Sequence, residues 1–76
     1  MSVDPDDYLQ RSRAAAAAGD LGTAIESLTQ ALDSTTPGAF RAVADRVAAR
    51  LATLPATDDL VAERDFLERK IAAFRR

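Results

Sequence analysis

The chain contains no cysteine, no histidine and no tryptophan, and its aromatic content is one tyrosine and three phenylalanines. Without thiols there is no disulfide, and without thiolate or imidazole there is no zinc-type metal site. General acid–base catalysis by histidine and nucleophilic catalysis by cysteine are excluded on the same ground. Long apolar runs are also missing: no segment approaches the ~20 residues needed to cross a bilayer. Met1-Ser2-Val3-Asp4-Pro5 lacks the basic start and apolar stretch of a secretory signal. The absence of cysteine gives no evidence for an oxidising compartment. These features lead to the expectation of a soluble cytoplasmic protein. Heavy use of alanine and arginine with a single lysine, Lys70, points to a GC-rich bacterial genome or its phage.

The remaining polar residues offer little chemistry. Ser2, Ser12, Ser27 and Ser34 have only carboxylates, arginines and Lys70 as companions, without Ser–Lys spacing or a strand-to-helix elbow. Gly19-Asp20-Leu21-Gly22 lacks the Lys-Ser/Thr and the preceding strand of a phosphate loop. Asp6-Asp7 and Asp58-Asp59 are adjacent on helices, so their side chains diverge by about 100° and do not converge on a cation. First-turn acids are accounted for by helix capping and the helix dipole. The reading is therefore non-enzymatic, with no cofactor and no metal.

Seventy-six residues allow one domain, residues 1–76. Below about 70–80 residues a single core rarely supplies more than roughly 3–5 kcal/mol. Idealised helix packing or association must make up the difference. Charge is uneven along the chain. Residues 1–40 carry two cations against six acids, a net of −4, and residues 41–76 carry eight against six, a net of +2. This pattern fits surface and dipole complementarity, an anionic partner for the second half, or head-to-tail self-association.

Four helices are expected. Asp4 as N-cap, Pro5 at the first helical position and the acids Asp6 and Asp7 open the first, which runs to about Ala18 and ends at Gly19. Asp20 caps the second, from about Leu21 to Ser34. Leu21, Ala24, Ile25, Leu28, Ala31 and Leu32 recur along it at helical spacing. Ser34-Thr35-Thr36-Pro37-Gly38 breaks the chain, and Thr36-Pro37 repeats the cap-then-proline signal. A third helix spans roughly Pro37 to Thr53, with Phe40, Val43, Val47, Leu51 and Leu54 on one face and Arg41, Asp45, Arg46 and Arg50 away from it. Thr57-Asp58-Asp59 opens the fourth as a further cap. Its seam is Leu60, Leu67, Ile71 and Phe74, with the stem of Arg64 alongside. Asp65→Arg69 and Arg64→Glu68 form i,i+4 pairs. The alanine run Ala14–Ala18 is strongly helix-forming and lets the second helix approach closely. The fold class expected is all-α: four short helices as two antiparallel hairpins.

The first hairpin resembles a tetratricopeptide repeat, whose unit of about 34 residues is two antiparallel helices with small and large residues at fixed places. Tyr8 stands where that family has its first large aromatic, Ser12 at the small position one turn later, and Gly19-Asp20 at the turn. Ala24 matches the small residue of close helix approach, Leu28 the following large one, and Ala31-Leu32 the Ala-Leu step. Pro37 lies one residue beyond the usual closing proline. Arg11 replaces a leucine and Ala15 a tyrosine, so the first helix is less bulky. The match covers about residues 5–38. Residues 39–76 do not follow the pattern, since Asp58 falls where a small residue is wanted, and they are read as a degenerate second hairpin. The resemblance implies a scaffold that binds peptides or proteins, although one unit does not form the family's extended concave groove.

Two surfaces are candidates for contact. Ala62, Phe66 and Ala73 form a second stripe on the fourth helix, off its seam, and a phenylalanine between alanines suits an interface anchor. Burial of that helix on two sides, self-association including a homodimer, and docking of a foreign protein are the alternatives it leaves open. Leu67 is included in this expected interface. Tyr8, Arg11 and Ala15 on the first helix form the other surface. Arg46 and Arg50 are secondary candidates for an acidic partner. The expected function is a protein–protein interaction module: a small adaptor, regulator or assembly subunit working through apolar helix faces with a charged rim. The alternative is a small nucleic-acid-associated regulator using Arg41, Arg46 and Arg50, with Arg75 and Arg76 beyond the fourth helix. The net charge of −2 and the interrupting Asp45 argue against it, because phosphate binding needs clustered cations.

Overall fold

The computed structural model describes residues 4–74, and it is all-α. Helix α1 is Pro5–Ala17, α2 is Leu21–Ser34, α3 is Phe40–Thr53 and α4 is Val61–Phe74. Short 3₁₀ turns at Pro37–Ala39 and Asp58–Leu60 lead into α3 and α4. Met1, Ser2, Val3, Arg75, Arg76 and the side chain of Phe74, each given a part in the sequence reading, lie outside the described residues.

Helix α1 begins as its sequence dictates. The Asp4 carboxylate accepts from the Asp6 N–H at 3.1 Å, and Pro5 occupies the first turn, where no amide is needed. Its end is set by Gly19, whose φ of +82° a side-chain-bearing residue adopts only with strain. The Gly19 and Asp20 N–H groups then return to the carbonyls of Ala16 and Ala15 at 3.0 and 2.8 Å, closing the last turn. Asp20 is already the cap of α2. Its carboxylate accepts from the Thr23 N–H at 3.2 Å and from the Thr23 hydroxyl at 2.6 Å. The two bonds, that from the hydroxyl foremost, hold the Asp20 carboxyl below the usual aspartate range.

The two later helix starts differ from expectation. Neither Thr36 nor Thr57 caps with its hydroxyl, and α-helix begins only at Phe40 and Val61. The amide each hydroxyl would reach is already taken. The Ala39 N–H bonds to the Thr36 carbonyl, and the Leu60 N–H to the Thr57 carbonyl, both at 3.1 Å. A 3₁₀ turn thus satisfies the first amides through the backbone, and the threonine side chains are left over.

One core joins the helices. Ala24, Ile25, Leu28, Ala31 and Leu32 of α2 meet Val43, Ala44, Val47 and Leu51 of α3, together with Leu54, Leu67 and Ile71. The expected seams of α2 and α3 are therefore inward, with Leu21 and Phe40 half-buried at their ends; Ala44 and Ser27 are buried as well. Helix α2 is central and packs on α1, α3 and α4, while α4 also packs on α3. Tyr8, Leu9, Ala15 and Ala16 lay α1 over this core. Close approach of α1 and α2 comes from Ser12 and Ala24, 2 % and 0 % exposed. Ser12 Oγ donates to the Ala24 carbonyl at 2.9 Å, so the small polar side chain is buried without an unmet bond.

The α3–α4 corner is held differently. Arg64 lays its stem along the core and donates to the carbonyls of Leu51 and Leu54 at 3.0 and 3.2 Å, capping the end of α3 from the neighbouring helix. Two exposed ion pairs also cross between helices: Asp6–Arg46 at 2.7 Å from α1 to α3, and Asp33–Lys70 from α2 to α4. The pairs expected along α4, Arg64–Glu68 and Asp65–Arg69, stand at 3.4 and 3.0 Å.

Candidate interaction site

Leu60, at the end of the 3₁₀ turn before α4, and Arg64, Leu67 and Ile71 of α4 recur at helical spacing and turn inward. A residue next to Leu67 must then point well away from the core, and Phe66 does: its side chain is 60 % exposed. Helix α4 is therefore not buried on two sides. Leaving more than half of Phe66 in water forgoes a large share of the about 1.5–3 kcal/mol that full burial of the ring would supply. Lys70 Nζ lies 5.8 Å from the ring centroid while paired with Asp33, so that cation is committed within the chain.

Phe66 stands at the lip of an open groove of about 490 Å³ between α2 and α4. Gly22, Ile25 and Thr29 of α2 and Ala62 of α4 line it, and the small Gly22 and Ala62 leave the space unfilled. Its polar rim is Glu26, Gln30 and Glu63. Neither glutamate enters a salt bridge among the described residues.

Of the stripe read from the sequence, the groove brings together Ala62 and Phe66. Ala73 is exposed on α4 but outside the lining. Leu67 requires a correction: fully buried in the core, it has no surface left for a partner. Val61, 58 % exposed, is an outward apolar residue the sequence reading did not single out.

The surface expected on α1 is largely turned inward. Tyr8 and Ala15 are half-buried against the core, and the Arg11 guanidinium sits 5.4 Å from the Tyr8 ring centroid. Arg46 and Arg50 line a second groove of about 450 Å³, between α1 and α3, with Leu9, Ala49 and Thr53. Arg13 lies with Arg46, Arg50, Leu9 and Asp6 in an adjoining hollow; the sequence reading missed it because nothing local signals that α1 lies beside α3. Arg41, exposed, lines neither groove.

Among the described residues no group of three acidic, histidine or cysteine side chains could hold a metal ion, and no helix is long and apolar enough to cross a membrane. No protein-family model matches this chain, and comparisons with curated proteins and with solved structures give no significant match.

Proposed function

We propose that the chain is a non-enzymatic protein–protein interaction module, a small bacterial adaptor, regulator or assembly subunit of the cytoplasm, that docks a partner in the α2–α4 groove. The observation that carries this reading is Phe66, an exposed ring on the lip of an apolar groove. Aromatic side chains seated beside a groove and ringed by polar residues are the usual anchors of binding energy. The partner would cover Phe66 and Ala62 and meet Glu26 and Glu63 at the rim. The kinship of residues 5–38 with tetratricopeptide repeats belongs to the same proposal; the small pair Ser12 and Ala24 at the helix crossing supports it. Nucleic acid is the weaker reading, because Asp6 already engages Arg46 and Arg41 stands apart from Arg46 and Arg50.

A photo-crosslinking residue placed at Ala62, in protein expressed in its native cells, tests this. The expected result is a covalent protein adduct that Phe66→Asp removes and that a crosslinker at Arg41 does not give. No adduct from position 62, or one indifferent to Phe66→Asp, would refute groove docking.

A further inference from the structure

We propose that the occupant of the α2–α4 groove is a second copy of this chain, presenting its α1–α3 edge. The inference rests on the docking reading above and names its partner. The first argument is charge. Glu26 and Glu63 rim one groove; Arg50 lines the other and Arg13 the hollow adjoining it, and none of the four is in a salt bridge among the described residues. The other charges nearby are already matched within the chain, Lys70 by Asp33 and Arg46 by Asp6. Pairing either edge with itself sets like charges together, whereas pairing one with the other sets carboxylates against guanidiniums.

Shape gives the second argument. One edge projects an exposed phenyl ring; the other offers an indentation of about 450 Å³ lined by Leu9, Ala49 and Thr53 and bordered by arginines. A ring entering that space loses its contact with water, and an arginine beside it can stack on its face. The two grooves share no lining residue, so one molecule can act as donor and acceptor at once. An interface between two different surfaces does not stop at two copies unless geometry forces it; it continues into a ring or an open chain.

Light scattering or sedimentation over a micromolar-to-millimolar dilution series tests the proposal, with circular dichroism confirming that each variant keeps its helices. The wild-type mass should rise past that of a dimer and fall back at high salt. Phe66→Asp and Arg50→Glu should each weaken association at least about tenfold. Mixed in equal amounts, these two variants should form a dimer and nothing larger, since each retains the surface the other has lost. Combining Glu63→Arg with Arg50→Glu in one chain should recover association by exchanging the charges. A dimer that never grows and ignores Arg50→Glu would overturn the proposal, as would a monomer at every concentration. In either case groove docking by a foreign protein would still be recognised, as an adduct from position 62 whose added mass is not that of this chain. A monomer that also gives no adduct would end both.

Discussion

The two corners of the molecule solve the same problem by different means. Between α1 and α2 the chain reverses through Gly19 at positive φ, two backbone bonds that close α1, and the Asp20 cap of α2. Every group involved lies within a few residues of the turn. Between α3 and α4 the end of α3 is capped by Arg64, which reaches back 13 and 10 residues to Leu51 and Leu54. The first corner is a property of its own sequence and forms with its helices. The second exists only once α4 has docked. A local corner can be built into any pair of helices, whereas a corner closed by a long side chain depends on the packing it helps to hold.

Substitutions can break or sharpen this contrast. The largest effect is expected from Leu28→Ala, in the central helix that both halves pack on; at full burial it should cost about 2–5 kcal/mol in urea unfolding. If the loss is much smaller and α3–α4 amides alone lose exchange protection, the halves are not one cooperative unit. Gly19→Ala forces a side chain into the left-handed region and should destabilise by about 1–2 kcal/mol. Arg64→Met keeps the apolar stem but removes both carbonyl bonds, for about 1 kcal/mol. Its signature is selective: faster amide exchange around the α3–α4 corner, with the α1–α2 corner unchanged. Equal loosening of both corners would abolish the distinction drawn between them.

The smallest effect concerns acid. Because Thr23 lowers the Asp20 pKa, the folded state releases this proton more readily than the unfolded chain. The stabilisation is therefore complete above the ordinary aspartate value near 3.8 and is lost as pH falls through the lower folded value. Asp20→Asn retains a capping side chain without the charge. Stability curves of the two proteins should coincide in strong acid and separate as pH rises through the aspartate range. Parallel curves would show that the charge of Asp20 contributes nothing.

Much of the fold was legible in the residues. Leu21, Ala24, Ile25, Leu28, Ala31 and Leu32 announce a helix and its inward face, and Asp4-Pro5 and Gly19-Asp20 mark its neighbours' limits, because these signals act over one turn of chain. Thr36 and Thr57 misled, since a 3₁₀ turn gave their target amides to backbone carbonyls. At the candidate site, spacing against the α4 seam set Phe66 and Ala62 off that seam, but whether a second neighbour buried them was left open, and only the packed structure leaves Phe66 exposed. Leu67 was misassigned because a residue that completes the core cannot also face a partner. Arg13 was missed because its neighbours Arg46 and Arg50 belong to another helix.

By itself the sequence determined four helices, the inward faces of α2, α3 and α4, the first corner and the absence of histidine and cysteine chemistry. All of these depend on residue type or on interactions spanning a turn or two. Tertiary structure alone decided how the two hairpins meet, with α2 against both α3 and α4. It thereby closed the second corner with Arg64, joined Asp6 to Arg46 and Asp33 to Lys70, and made one groove acidic and the other basic. Side chains tens of residues apart have no register with one another until packing of the apolar faces fixes the helices' relative positions.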